Sequence, residues 1–417
     1  MSTHHDLQAK TLFDSFLQKA RASTLKGHDG SAKLVQTRAS KAFPSPDAAF
    51  YDEEKKWTIS CEFKPETETK RGILTGLGQC VSYLQDASMS YLAIPDKVEG
   101  FDIGGYLESI FEVQIKNKLP IGLIVYENSD PSSFFIKVPV SVAPKEVKGG
   151  RGGAERYWAK MQDMPVELCL TLLKYFYDFG GKPGNDANEI FAMFWDKEIL
   201  CDLEMIHTLD NPTTWRFHYH YNIDYKPLVK IKSKLMEKVL VSEITIATAL
   251  EELRIKTDSR ALGVDNYAIS VRKNLLTCLY HLNLVSNDGQ LLEDGLNFYT
   301  VGHRYGFNSK PAVDEFTRLM LMNGQHLSLI LDLDRFCRTS TFESGGGPKD
   351  EAAWLRKFVE HYDNLGKIKW AKTRRKKEGQ NEQLKYELIF WNNFDLRIKK
   401  AHAPYSFNWE RITRLIG

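Results

Sequence analysis

The chain of 417 residues is 42% hydrophobic and 12% aromatic, more than one ordinary core accommodates, so two to four domains are expected. A formal net charge of +2 excludes a whole-molecule field for nucleic acid and leaves local patches as the means of any such binding. No apolar run reaches the roughly eighteen residues of a bilayer span, and the polar start MSTHHDLQAK lacks a signal-peptide core, so a soluble, cytoplasmic protein without a membrane partner is expected.

Residues 6–21 place Leu7, Leu12, Phe13, Phe16 and Leu17 at helical spacing, which predicts an amphipathic first helix. Residues 33–38 read as a short strand. In residues 57–64 the pattern alternates: Trp57, Ile59, Cys61 and Phe63 share one side of a strand, and Thr58, Ser60, Glu62 and Lys64 share the other. The polar run at 52–56 reads as a turn that folds 43–51 back as the partner strand and brings Asp47 within reach of Glu62 and Lys64. Residues 69–87 predict a second helix with Ile73, Leu77, Cys80, Val81 and Leu84 along its apolar stripe. Strands at 90–95, 121–127 and 134–142 and a helix at 105–116 complete an α/β pattern, a mixed sheet with helices on its faces.

The glycine-rich stretch 148–153 marks the end of a first domain. Residues 154–200 read as mainly helical, interrupted at 180–186. In WRFHYHYNI, 215–223, Arg216, His218 and His220 share a strand face; without a third ligand, a solvated face is favoured over a metal site. The six cysteines, Cys61, Cys80, Cys169, Cys201, Cys278 and Cys337, are scattered without a close pair and read as small core residues in a reducing compartment.

Residues 242–255 and 266–285 predict two helices, and 286–301 a pair of short strands about the tight turn Asn287-Asp288-Gly289. That order resembles a winged-helix module, with Arg272, Lys273 and Asn274 as major-groove candidates; a plain helical packing module is the alternative. Residues 311–336 read as one helix. Pro348 opens another, whose stripe of Trp354, Leu355, Phe358, Val359, Tyr362 and Leu365 is closed by Gly366. Two strands at 367–372 and 384–390 would be joined by a tip bearing Arg374, Arg375, Lys376 and Lys377, cations suited to phosphate, although basic tips also serve as solubilising turns. The expected organisation is 1–148, 149–240, 241–310 and 311–417.

Pro46-Asp47, fourteen intervening residues, then Glu62-Phe63-Lys64 resembles the PD-(D/E)XK nucleases, and the order of elements over roughly 6–130 is similar to their restriction-endonuclease-like core. As a string the motif is weak, since E-x-K recurs at Glu53/Lys55, Glu54/Lys56, Glu68/Lys70 and Glu146/Lys148. Only Glu62 and Lys64 lie in an alternating apolar strand beside one bearing an acid; surface ion pairing of a structural Asp, Glu and Lys is the bland reading.

The resemblance implies Mg2+, with Mn2+ able to substitute, held by Asp47, Glu62 and the backbone carbonyl of Phe63. Lys64 would orient or activate the attacking water, or steady the phosphate's charge. It further implies a polar addition from the second helix, for which Gln79 with Tyr83 fits, off the apolar stripe. Lys70 and Arg71 would meet a phosphate where that helix begins, and Asp14 stands where relatives carry a first-helix glutamate. The implied function is a Mg2+-dependent DNA endonuclease, foremost of the site-specific restriction type, acting on double-stranded DNA as a homodimer and reading sequence with its C-terminal half. A repair, transposition or other defence nuclease, and a non-catalytic winged-helix regulator on a nuclease-like scaffold, are the alternatives. An RNA-directed nuclease has no supporting signature.

Overall fold

A computed structural model describes residues 2–37, 44–145, 156–161, 165–199, 226–256, 258–260, 267–339, 351–368, 384–400 and 403–417. The protein is α/β, with a six-stranded mixed sheet and many helices. Its contacts separate two compact units, Met1–Trp158 together with Gln325–Gly417, and Ala159–Gly324. Four consecutive domains were expected; instead the C-terminal segment joins the unit that contains the sheet.

In that unit the strands β1 (Leu34–Thr37), β2 (Ala48–Asp52), β3 (Trp57–Phe63), β4 (Met89–Pro95), β5 (Ile121–Glu127) and β6 (Asp130–Val138) lie side by side in sequence order. Short connections make β1–β2, β2–β3 and β5–β6 antiparallel. Helical crossovers make β3–β4 and β4–β5 parallel. These crossovers are α2 (Lys70–Tyr83) and α3 (Ile103–Ile110), the latter running into a π-helical turn, Phe111–Ile115.

Helix α1 (Ser2–Arg21) covers one face, burying Leu12, Phe13, Phe16 and Leu17 against Ile59, Cys61 and Phe63 of β3. Leu7, counted in the stripe, is 46% exposed. On the other face Ile73 and Cys80 of α2 and Ile103 and Leu107 of α3 pack on Leu92, Ile94 and Leu123. The alternation read in β3 is thus realised, with each parity facing a different helical layer. The β2–β3 turn is held by the Asp52 carboxylate, which accepts from the N–H groups of Glu54 and Lys55 at 2.9 and 3.0 Å, while Lys56 adopts a positive φ of 59°.

Several elements differ from expectation. The inner face of α2 is Ile73, Gly76, Cys80 and Tyr83, and Val81 is exposed, because a 3-4-3 spacing keeps those four on the sheet side of a 3.6-residue helix. Strand β6 begins at Asp130 rather than 134 and ends at Val138, since the chain leaves β5 through a tight turn. The single helix expected at 311–336 is two, α10 (Lys310–Leu321) and α11 (His326–Thr339), parted by a turn in which Gln325 takes a φ of 59°.

In the unit Ala159–Gly324, the helices α4 (Val166–Phe179), α5 (Ala187–Phe194), α6 (Lys226–Leu240), α7 (Ile246–Lys256), α8 (Tyr267–His281) and α9 (Glu293–Tyr305) precede α10. The expected wing is reduced to one bridge, Val285 to Leu291; its second strand is replaced by α9, whose first turn carries Glu293 and Asp294 where the helix dipole favours acids. A winged-helix hairpin is therefore corrected to a helix at this position. In the first unit α12 (Glu351–Asn364) ends as expected on Gly366, whose φ is 73°. The strand expected at 384–390 is instead helix α13 (Lys385–Asn393), with Glu387, Phe390 and Trp391 turned inward at helical spacing. The basic-tipped hairpin loses its second strand by this, and Arg374, Arg375, Lys376 and Lys377 lie outside the described residues. So do Arg216, His218, His220 and Cys201. Strands β7 (Arg397–Lys400) and β8 (Ala403–Phe407) form a separate hairpin before α14 (Trp409–Ile416).

Candidate active site

The site lies where the paired ends of β2 and β3 meet the buried face of α2, at Gly76 and Tyr83. Ala48 pairs with Cys61, and continuing that register by one residue sets Asp47 opposite Glu62. The Phe63 N–H donates to Asp47 Oδ2 at 2.7 Å, a charge-assisted bond that ties the acid to the strand bearing the other two groups. Glu62 is buried. Its Oε1 meets Lys64 Nζ at 2.9 Å, and its Oε2 accepts the hydroxyl proton of Tyr83. Tyr83 also reaches the Ser45 carbonyl, at 3.3 Å.

Lys64 is fixed by its backbone and its stem alike. Its N–H donates to the Ala93 carbonyl at 2.9 Å, and the Tyr126 hydroxyl donates to its carbonyl at 2.8 Å. The alkyl chain lies over Gly76 of α2: a Cβ there would stand 2.7 Å from Lys64 Cε and 2.9 Å from Leu92 Cδ1. A glycine inside a helix costs about 1 kcal/mol relative to alanine. Here it opens the space that lets the ammonium settle beside Glu62.

The electrostatics are unbalanced, with two carboxylates against one lysine. Burial of the surroundings and then the Glu62 charge push the Asp47 carboxyl up, to about 7, against the opposing pull of His5, the Phe63 N–H and Lys64. Asp47 is itself an exposed residue, so water screens part of that push. Burial, followed by the Glu62 charge, raises the Tyr83 hydroxyl well above its ordinary value and keeps it a donor.

These residues fit a hard divalent cation. Their donors are oxygens, and a cation would relieve the repulsion that keeps the Asp47 carboxyl up. Among the described residues no three or more His, Cys, Asp or Glu side chains gather as a metal site. A cation here would therefore rest on two carboxylates and a main-chain carbonyl such as that of Phe63.

Tyr83 was expected off the apolar stripe; it is on the buried face, because it must reach Glu62. One turn earlier, the buried Gln79 Oε1 has no hydrogen-bond partner. Lys70 and Arg71 are exposed at the start of α2, with Lys70 Nζ 3.8 Å from Glu99. Asp14 has another occupation. It pairs with Lys10 and Lys367 at 2.7 and 2.6 Å, and both lysines also meet Asp332, at 3.0 and 2.9 Å. Tyr362 donates to the same Asp332. Such an ion cluster joins α1 to α11 and to the end of α12, and Asp14 spends its carboxylate there. In the other unit Arg272 gives its guanidinium to the Ser259 carbonyl, Lys273 is exposed and Asn274 is half-buried.

Two residues were missed. His5 on α1 donates from Nε2 to the Phe63 carbonyl at 3.3 Å, since a carbonyl only accepts, and its ring meets the Phe63 ring edge-on. No sequence signal marks it. Gly76 could have been found, because a glycine inside a helical pattern asks for a packing reason. No protein-family model matches the chain, and no curated protein matches it.

Proposed function

We propose that this protein is a Mg2+-dependent endonuclease that hydrolyses DNA phosphodiesters, as the resemblance to PD-(D/E)XK nucleases implies. The observation that carries this reading is the convergence of Asp47, Glu62 and Lys64 on one strand-pair end, held by Phe63 N–H, the Tyr83 hydroxyl and the Gly76 gap. A scaffold has little use for two neighbouring carboxylates that share a single lysine.

Asp47 and Glu62 would hold the cation, with the Phe63 carbonyl as a third oxygen. When bound, Mg2+ supplies Lewis acidity that lowers the pKa of water and neutralises charge on the leaving oxygen. Tyr83 donates to Glu62 and so sets which way that carboxylate faces. Lys64 brings a positive charge to the same spot, where it orients the attacking water or steadies the phosphate oxygens. One site cuts one strand, so double-strand cleavage takes two copies of the chain.

Purified protein with Mg2+ should convert supercoiled plasmid to nicked or linear DNA. Asp47→Ala and Lys64→Ala should each cut at least about 100-fold more slowly while still binding DNA. Cleavage that persists in both variants places the chemistry elsewhere. Restriction, repair and transposition nucleases share this site chemistry; a common sequence at every end of a genomic digest would mark the restriction type.

A further inference from the structure

Strands β3 and β4 run parallel, with Phe63 paired to Ala93, so both finish at the same end of the sheet. Lys64 follows β3 at that end. A small hairpin follows β4 there, Lys97–Val98 pairing with Phe101–Asp102. Its two turn residues, Glu99 and Gly100, take positive φ of 51° and 77°, the geometry whose twist suits a two-residue hairpin. The hairpin is clamped: Asn128 Nδ2 donates to the Lys97 carbonyl at 2.8 Å, and the Lys97 N–H donates back to Asn128 Oδ1 at 3.3 Å. Asp102 then caps α3, accepting from the Gly105 N–H at 2.7 Å.

This hydrogen-bonded frame presents aromatic surface to solvent. Phe101 is 41% and Tyr106 46% exposed, and their rings meet edge-on with centroids 5.8 Å apart. Lys70 Nζ, from the start of α2, stands 5.0 Å from the centre of the Phe101 ring, while Glu99 offsets part of its charge from 3.8 Å. Arg71 is exposed next to it. Exposed rings beside cations, held by these hydrogen bonds at the end of the sheet that Lys64 also occupies, are suited to a planar base attached to a phosphate. The bases of an intact duplex have their faces covered by neighbours and reach such rings only after costly unstacking. An unpaired base needs no such step.

We infer that Phe101 and Tyr106 form a stacking platform for an unpaired base of the DNA being cut, with Lys70 beside its phosphate. This rests on the nuclease reading and narrows its substrate class to DNA with an unpaired nucleotide, such as a single-stranded tail next to duplex.

The test titrates full-length protein, in EDTA to stop cutting, with a fluorescein-labelled blunt duplex and with the same duplex carrying a single-stranded tail that contains 2-aminopurine. The tailed DNA should bind more tightly and its 2-aminopurine fluorescence should fall. Phe101→Ala should weaken tailed binding by about 5- to 100-fold, in line with base–aromatic stacking, abolish the fluorescence change and leave the blunt duplex unaffected. Phe101→Trp, which keeps an aromatic face, should restore both signals. Equal loss on both DNAs, unchanged affinity in Phe101→Ala, failure of the tryptophan to rescue, or no binding of either DNA overturns the inference. Plasmid nicking by the unaltered protein with Mg2+, read in parallel, separates the two ideas. Nicking without a Phe101 effect sinks the platform alone; Phe101-dependent binding without nicking sinks the nuclease reading and keeps the platform as a binding site.

Discussion

Two clusters of charge in the same compact unit are built from the same residue types and differ in their balance. Around Asp332, two acids and two lysines interlock, with the Tyr362 hydroxyl added. Burial alone would push the Asp332 carboxyl up, but Lys10 and then Lys367 outweigh it and hold it at about 2. Around Glu62, two acids share one lysine, and the Asp47 carboxyl moves the other way, to about 7. A structural cluster closes its own charge. The candidate active site leaves a negative charge open, which is what a bound cation or a polarised substrate can answer.

The largest effect is expected at Asp332. Asp332→Ala leaves Lys10 and Lys367 sharing Asp14 in a buried place, and urea denaturation should show a loss of about 3–5 kcal/mol. A loss under about 1 kcal/mol would mean that the cluster does not hold α1 in place. At the other cluster, Gly76→Ala should slow plasmid cutting by about 10- to 100-fold, because the added methyl displaces the Lys64 stem from its position beside Glu62. Its melting temperature should fall as well, because buried Glu62 loses its counter-charge and Leu92 is crowded, beyond what helix propensity returns. Unchanged cutting would show that the position of the ammonium is not critical.

The smallest effect is the most diagnostic of imbalance. The folded-state Asp47 carboxyl is raised above its unfolded value of 3.8, so the folded protein holds that proton more tightly than the unfolded chain. Its favourable contribution is present below about pH 4 and is lost as pH rises through about 7. Asp47→Asn cannot titrate and can still accept the Phe63 N–H. Without divalent cation, the stability of the variant relative to the parent should improve between pH 4 and 7 and level off above that. A difference that stays flat with pH, or one that falls, would remove the repulsion from the account. Adding Mg2+ at pH 8 should raise the melting temperature of the parent and leave that of the variant unchanged.

Local pattern determined much of this protein. The period-2 alternation of residues 57–64 sets which side chains share a face, and the polar turn at 52–56 makes the hairpin, so the closeness of Asp47, Glu62 and Lys64 is legible in the sequence. The buried stripes of α1 and the two parallel central strands follow from the same kind of signal.

Only tertiary structure decided what depends on partners distant in the chain. Residues 384–390 alternate well enough for a strand, yet Glu387 must turn inward to meet Arg156 and Trp158, and a helix delivers it there. Asp14 was recruited by Lys367, more than three hundred residues away, and His5 by a carbonyl on β3. A short window of sequence carries backbone preference and periodicity. It carries no record of which buried charge will find which counter-charge, because that choice is made by the desolvation and pairing energies of the assembled core.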